Sequence, residues 1–326
     1  MFLVNNYSKI EYRKSNIFLQ FFECFCVVII MEKSVIKISD VKAETQIGSV
    51  FNDLFKIIYQ TEQYKNKIIE WNFNDVSFLH PFFLLPLSLY RQTKNNIQLE
   101  GINDYLRLIS FASPYYVKEN TDLEKYLNDY INKSYIPICK FDINQSHIGQ
   151  MQTIIQNIIQ KQCNLPKHLT SPLTYMVGEL IANIKDHSLC SYGFIFSQYL
   201  ERERCLNICI SDDGITLLGS YKRNKRFAEQ VGDSPAKAIK LANEGISTKG
   251  ERGERGFGIS TTRNMLVQGL NGGFFMMSGN AFFRSIKDKR NEVKELPKEL
   301  YWNGTIVLLK IPVDVPDNFN IYSYLG

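Results

Sequence analysis

Apolar residues in the first half of the chain form short β-branched or aromatic runs, separated by stretches with helical spacing. The run at residues 68–73 is typical of a strand, and Asn74-Asp75 marks a turn after it. Pro81 is a favourable first residue for the apolar helix that follows. The alternation of strands and helices predicts an α/β fold. The predicted elements are strands at 68–73 and 76–79, a helix at 81–90, a strand at 97–99 and a helix at 104–109.

The second half continues this pattern and gathers glycines between its apolar segments. Apolar residues at helical spacing in residues 148–159 predict a helix that packs on a sheet or pairs with another chain. A largely apolar segment at residues 175–187 predicts another helix. An alternating strand ends at Asp212, and a strong terminal strand opens at Gly304.

The amino-acid composition favours some classes of protein and some kinds of site over others. The 326 residues are enough for two domains with separate cores, and the 44% of hydrophobic residues is ordinary for a globular protein. The net charge of +5 is spread along the chain, so there is no strong case for nucleic acid binding. The seven cysteines are irregularly spaced, which argues against a disulfide framework or a zinc site. Reduced thiols in a cytoplasmic protein are the expectation.

An apolar run at residues 17–31 raises the question of a membrane segment. A spanning helix needs about twenty residues with few charges, whereas this run is shorter and contains Gln20 and Glu23. No small-residue cleavage site follows it, as a signal peptide would require. We interpret residues 1–31 as an upstream extension with Met31 as a candidate translation start. An N-terminal membrane anchor is the alternative.

Three polar residues share one face of the predicted helix at 175–187. Glu179, Asn183 and His187 are each four residues apart, so their side chains project from the same side. An Asn carbonyl oxygen suits Mg²⁺, which takes oxygen ligands while it bridges phosphates. A carboxylate one turn away can accept a proton from water or from a hydroxyl group. The alternative is an amphipathic helix with a polar stripe toward solvent.

Three further motifs are candidates for nucleotide contacts. Asp212, at a strand end, can accept a hydrogen bond from an exocyclic amine such as adenine N6, and Gly214 leaves room for a flat ring. An ordinary Asp-Gly turn is the alternative there. Gly256 and Gly258 precede a predicted helix, whose free N–H groups can bind phosphate. Thr305 begins the last strand, where its hydroxyl can reach a ligand.

In this order, the four motifs resemble those of the GHKL, or Bergerat-fold, superfamily of ATPases and kinases, closest in style to the anti-sigma-factor serine kinases. The resemblance covers residues 169–315 and implies an α/β sandwich whose mixed sheet is covered by helices on one face. It also implies ATP and Mg²⁺ as ligands. The implied roles are Glu179 as general base, Asn183 as Mg²⁺ ligand, Asp212 as partner of adenine N6 beside Gly214, Gly256, Gly258 and Lys249 as phosphate contacts, and Thr305 as support on the adenine side.

The sequence departs from the superfamily pattern in two places. The motif at Gly214 usually has a second glycine two residues later, and Thr216 occupies that position here. The predicted helix at 148–159 has His147 only at its edge, without the acidic residue that follows a histidine-kinase phosphoacceptor. Residues 219–255 correspond to the segment that covers ATP, and most of its basic side chains are interpreted as solvated.

Residues 32–135 resemble a STAS-like domain, the fold of anti-sigma-factor antagonists. The resemblance lies in a strand, a loop and a helix at residues 71–91. Antagonists carry a phosphorylatable Ser at the helix start, where this chain has His80-Pro81, with Ser77 upstream. Switching by phosphorylation is therefore not expected, and His80 is interpreted as a capping or packing residue.

The sequence predicts a regulatory protein that binds ATP·Mg²⁺, with slow ATP hydrolysis or Ser/Thr phosphotransfer to a partner protein. The alternative is a non-catalytic module whose protein contacts are gated by nucleotide. A regulatory protein partner and a homodimer are expected associations, and a membrane partner is not. The predicted order is an extension at 1–31, a STAS-like domain at 32–135, a linker and packing helix at 136–168, a GHKL domain at 169–315 and a tail at 316–326.

Overall fold

Two β-sheets organise the protein, whose computed structural model describes residues 33–42, 47–144, 148–248 and 258–325. The first three strands pair in parallel in their chain order. The other eight form one mixed sheet. The strands are β1 (Lys33–Lys37), β2 (Ile68–Asn72), β3 (Ile97–Glu100), β4 (Tyr115–Val117), β5 (Cys139–Asp142), β6 (Tyr192–Leu200), β7 (Cys205–Asp212), β8 (Gly273–Gly279), β9 (Ala281–Ile286), β10 (Glu292–Glu295) and β11 (Trp302–Pro312).

The larger sheet runs in the order β10–β9–β8–β11–β7–β6–β5–β4. Its neighbours pair antiparallel except β4 and β5, which are parallel. The edge strands are short: β4 has three residues, and β10 has four mostly exposed ones. The long strands β7 and β11 lie in the middle of the sheet, where they bring Asp212 and Thr305 to the same end.

Ten α-helices lie in the described ranges, and none of them is long and apolar enough to cross a bilayer. The last continues into one π-helical stretch at Met265–Gly269. The helices are α1 (Ile47–Gln63), α2 (Pro81–Gln92), α3 (Asp104–Leu108), α4 (Asn120–Asn128), α5 (Ile148–Cys163), α6 (Lys167–His187), α7 (Leu217–Arg223), α8 (Lys225–Val231), α9 (Pro235–Asn243) and α10 (Gly258–Asn264).

Most of the elements expected from the apolar pattern are confirmed, but residues 76–79 do not form a strand. The Asp40 carboxylate accepts the backbone N–H groups of Ser77 at 2.7 Å and Phe78 at 3.0 Å, and the Ser77 hydroxyl at 2.6 Å. A side chain from a distant segment therefore satisfies donors that a strand would offer to its neighbour. The last strand also begins earlier than expected, at Trp302, and is irregular between Trp302 and Thr305.

Helices cover both faces of the larger sheet, whereas the sequence predicted helices on one face. Helices α5 and α6 pack on one face together with α10. On the other face, α2 lies over β6 and β7, and Phe51 of α1 stacks on Phe275 at 4.2 Å between ring centroids. The physical reason is that β7 and β8 are buried along their whole length, so neither of their faces can be left to solvent.

The N-terminal and C-terminal parts share the larger sheet. The boundary predicted after residue 135 falls between β4 and β5, which pair with each other. Residues Lys33–Gly326 make up a single compact unit in their contacts. The protein described here is therefore a mixed α/β fold in which β4 joins the sheet that carries β7 and β11.

His80 confirms the expectation of a capping residue. Its Nδ1 atom accepts the backbone N–H of Phe82 at 3.1 Å at the first turn of α2. The side chain is buried, and burial lowers its pKa to about 4, with a further contribution from the charge of Lys310. A neutral imidazole is the form that can accept this hydrogen bond.

Asn207, on β7, offers a test of the buried layer beneath α2. It is 1% exposed, and neither its Oδ1 nor its Nδ2 has a hydrogen-bond partner in the described structure. Substituting Asn207→Leu keeps the number of side-chain heavy atoms and removes two unpaired polar groups. We therefore expect the free energy of unfolding in urea to rise by about 1–2 kcal/mol.

Gln198, on the neighbouring strand, provides the matched contrast. Its Oε1 accepts the Tyr105 hydroxyl at 2.9 Å, so Gln198→Leu leaves a buried hydroxyl without a partner. We expect this change to destabilise the protein by about 1–3 kcal/mol. If Asn207→Leu destabilised the protein by as much, Asn207 would have to hold a polar partner such as a buried water.

Candidate functional site

Helix α6 places the first motif beside a cavity. Asn183 and His187, one turn apart, line the cavity as the i and i+4 spacing predicted. Glu179 lies one turn earlier, next to the first residue of α10: a Cβ atom added to Gly258 would lie 3.2 Å from Glu179 Cδ. The structure thus brings the first and third motifs together at one end of α6.

The cavity lies between α6, the ends of β7 and β11, and the segment that follows β7. The space that a water-sized sphere can enter is about 50 Å³, and the volume rises to about 510 Å³ when the open mouth is counted. Aliphatic side chains dominate its walls, and a few polar groups interrupt them. Such a lining suits a flat, largely apolar ring that is oriented by a small number of hydrogen bonds. The aliphatic and thioether walls come from Leu180, Ile184, Ile210, Met276 and Val307.

Asp212 is the buried acid of the cavity. It ends β7, is 3% exposed, and accepts the Gly214 N–H on Oδ1 at 2.9 Å. Burial raises the pKa of Asp212 to about 7, with a further contribution from the charge of Asp213, and backbone hydrogen bonds from Gly214 and Thr305 oppose the shift. A buried carboxyl poised near neutrality is a functional-site candidate, because an incoming hydrogen-bond donor can stabilise its charged form.

Two glycines allow the backbone to close around Asp212. A Cβ atom on Gly214 would lie 2.8 Å from the Ser188 carbonyl carbon and closer still to its oxygen. Gly304 has a φ of +78°, and a Cβ there would lie 2.6 Å from Asp212 Oδ1. Only residues without a side chain fit at these two positions.

Thr305 lies next to Asp212, as the sequence predicted for the fourth motif, and it lines the cavity. Its backbone carbonyl accepts the Ser211 hydroxyl at 2.9 Å, and its Oγ1 is 3.3 Å from Ser278 Oγ. The Ser278 hydroxyl donates to the Gly304 carbonyl at 2.7 Å and accepts the Leu217 N–H at 2.9 Å. Ser278 therefore ties three segments together, and sequence reasoning missed it. The signal was a single polar residue at the end of the apolar run in β8.

Asn183 has a donor available for a ligand. Its Nδ2 atom is buried and has no hydrogen-bond partner within the described residues. An unpaired buried donor costs about 1–3 kcal/mol, which a bound acceptor would recover. The described residues contain no group of three His, Cys, Asp or Glu side chains able to hold a metal ion. The Asn183 side chain lines the cavity and carries an amide oxygen, a kind of ligand that suits Mg²⁺.

The segment after Asp212 is helical up to Asn243 and is not the charged loop that was expected, whereas its basic side chains Lys222, Arg223, Lys225 and Arg226 are exposed as expected. Residues 217–243 contain α7, α8 and α9, which bury a small core of their own. Each helix starts at a polar cap: Thr216 accepts the Gly219 N–H, Asn224 that of Arg226, and Ser234 that of Lys237. The residue in place of the second glycine, Thr216, is thus the N-cap of α7.

Two predicted site residues, Lys249 and Gly256, lie outside the described residues, as does His147. Among the basic residues that are described, Lys222 pairs with Asp233 at the surface. Of the remaining predicted residues, Asn183, Asp212 and Thr305 line the cavity. Glu179, Gly214 and Gly258 do not line it, but Gly214 packs against Ser188, which does, and Gly258 packs against Glu179.

Comparison with known proteins gives no assignment. No protein-family model matches the chain, and neither a curated protein nor a solved structure matches it. The functional argument therefore rests on the cavity and on the residues that line it.

Two further cavities adjoin the main one. One of about 340 Å³ shares Asn183, His187 and Ser220 with it and is also lined by Ser247 and Thr248. The other, of about 700 Å³ including open space, shares His187 and Ser220. The three cavities meet around these two side chains, so a ligand longer than one ring has space in which to extend.

Proposed function

We propose that the protein binds ATP with Mg²⁺ in the cavity between α6, β7 and β11, in the manner of the GHKL superfamily. The observation that carries the proposal is the meeting of four separate motifs. Asn183, Asp212 and Thr305 line one cavity, and Gly258 contacts Glu179 at its edge. These residues are spread over more than a hundred positions of the sequence. Each carries a chemical group that can contact a nucleotide.

The adenine ring is assigned to the Asp212 end of the cavity. The carboxylate accepts a hydrogen bond from the exocyclic amine, and the aliphatic walls contact the faces of the ring. The half-buried side chains of Asn183 and His187 lie at the other end of the cavity, where it meets the adjoining cavity. The phosphates are assigned to that end, close to the start of α10.

Glu179 is the candidate general base. It lies one turn from Asn183 on α6 and beside the first residue of α10. In this position a carboxylate can accept a proton from attacking water, which gives hydrolysis, or from a partner's Ser or Thr hydroxyl, which gives phosphotransfer. Asn183 would hold Mg²⁺, which would supply positive charge to neutralise the phosphates. The protein's own contribution is to orient the nucleophile and the nucleotide.

The test follows γ-labelled ATP with the full chain and Mg²⁺. Glu179→Gln keeps the size and hydrogen-bonding capacity of the side chain but is a far weaker base. We expect it to lower phosphate release or transfer at least about 100-fold, with the Kd for ATP within threefold of wild type. Asn183→Ala should weaken ATP binding itself. Label on protein rather than in free phosphate identifies a kinase.

Glu124→Gln is the matched control, because Glu124 is an exposed carboxylate on α4. It should leave both binding and turnover unchanged. Wild-type protein that binds no ATP would reject the proposed function. Turnover that survives Glu179→Gln in full would reject Glu179 as the base.

A second candidate is a nucleotide-gated interaction module without turnover, and one observation favours it. Strand β7 has Ile210 and Asp212 at the cavity, while Cys209 on its opposite face packs under the N-terminal layer. A ligand bound at Asp212 would therefore be separated from α2 only by the thickness of β7. We propose that this layer, with its parallel β1–β3 sheet and α1 and α2, is STAS-like and takes the regulatory partner. Tight ATP binding with no turnover in the same assay would favour this candidate.

A further inference from the structure

A chain of side-chain hydrogen bonds joins α6 to the segment after α9. Thr248 Oγ1 is 3.0 Å from His187 Nδ1 and 3.2 Å from Ser220 Oγ. Asn224, which caps α8, donates from Nδ2 to the Thr248 carbonyl at 3.0 Å. One residue thus connects the helix that carries Asn183 to both α7 and α8.

The same segment is held from a second side. The buried Tyr221 hydroxyl on α7 donates to the Ile246 carbonyl, two residues before Thr248. Residues 246–248 are therefore fixed to α7 and α8 by their backbone carbonyls. The Thr248 side chain adds a contact with α6 at this point through its hydrogen bond to His187.

Thr248 lies at the phosphate end of the cavity system and not at the ring end. It lines the two adjoining cavities, together with His187 and Ser220. It does not line the main cavity that holds Asp212. A change at Thr248 should consequently act on the part of a ligand that extends past Asn183.

We propose that Thr248 is a positioning residue that, through His187 and Ser220, holds the wall of the phosphate subsite against α6 and so makes the protein distinguish ATP from adenosine. This inference rests on the proposed function. Adenosine would occupy only the ring end of the cavity, so this wall would add nothing to its binding free energy. ATP would extend beyond the ring end into the adjoining cavity, which Asn183, Ser247 and Thr248 line.

The experiment compares Thr248→Val, which removes the hydroxyl and preserves the shape, with Thr248→Ser, which keeps the hydroxyl. Binding of ATP with Mg²⁺ is measured by calorimetry, and binding of adenosine by saturation-transfer NMR. We expect Thr248→Val to weaken ATP binding at least tenfold and to leave adenosine binding within twofold. Thr248→Ser should restore ATP affinity to within threefold of wild type.

The outcomes separate this inference from the function on which it rests. Equal loss of ATP and adenosine binding in Thr248→Val, or no loss of either, overturns the positioning role while ATP binding by wild type stands. Wild-type protein that binds neither ligand overturns both. If Thr248→Val does not fold, Ser220→Ala removes one partner of the chain. It should weaken ATP binding about threefold relative to adenosine, and an unchanged ratio overturns the inference.

Discussion

Substituting Asp212→Asn is expected to weaken ATP binding about 100-fold while it stabilises the protein without ligand. Asparagine has a single acceptor oxygen, and the Gly214 N–H already occupies Oδ1 at this position. The amide nitrogen would then face the exocyclic amine of adenine, so that two donors meet. The loss of a hydrogen bond to a charged group, together with an unpaired donor, costs enough binding free energy to explain a 100-fold weaker affinity for ATP.

The stability effect of the same substitution depends on pH. The pKa of Asp212 is about 7 in the folded protein, against 3.8 for the ordinary carboxyl, because of burial. Between these values the folded state holds a proton that the unfolded state has released, so wild-type stability falls as pH rises from about 4 to about 7. The fall is at most about 4 kcal/mol. Asparagine does not titrate, so the advantage of Asp212→Asn should grow over that window and level off above it.

Urea unfolding at pH 5 and pH 8 measures this difference, and calorimetry measures the ATP affinity. Asp213→Asn is the matched control, because Asp213 is adjacent in sequence and exposed. It should change the Kd for ATP by less than threefold. A stability difference between Asp212→Asn and wild type that stays constant from pH 5 to pH 8 would contradict the burial argument.

Substituting Gly304→Ala should be among the most damaging single changes in the fold. The residue has a φ of +78°, and the added Cβ would lie 2.6 Å from Asp212 Oδ1 and 2.8 Å from its carbonyl carbon. Strand β11 would have to move away from the end of β7. We expect a loss of about 3 kcal/mol or more in the free energy of unfolding, together with loss of ATP binding.

Gly232→Ala separates the two causes of this effect. Gly232 also has a positive φ, of +53°, but a Cβ there would meet no atom within 4 Å. It should lose only the conformational contribution, about 1–3 kcal/mol at a ψ of −128°, and keep full ATP affinity. Equal losses for Gly232→Ala and Gly304→Ala would mean that backbone strain, and not the collision with Asp212, controls the result.

The sequence predicted those parts of the site that depend on local spacing. Asn183 and His187 share a helix face because they are four residues apart, and Asp212 ends a strand because the apolar alternation stops there. Both features are fixed within a few residues, and the structure confirms the elements. The roles of these residues toward ATP stay predictions until the binding measurements are made.

What the sequence did not predict depends on contacts between distant segments. The hydrogen bonds from Ser77 to Asp40 span 37 residues and replace an expected strand. The helices α7 to α9 were missed because the charge of residues 219–255 was given more weight than the capping residues Thr216, Asn224 and Ser234. The second covered face of the larger sheet was missed because residues 32–135, which supply α1 and α2, were assigned to a separate domain.

The larger sheet ends in strands that give a second chain little to pair with. Strand β4 offers three residues, and β10 carries Glu292, Lys294 and Glu295 on a largely exposed ribbon. Short, charged edges resist the edge-to-edge addition of strands from neighbouring molecules. A homodimer of this protein would therefore be expected to associate through helical surfaces, and its sheet would remain a within-chain structure at high protein concentration.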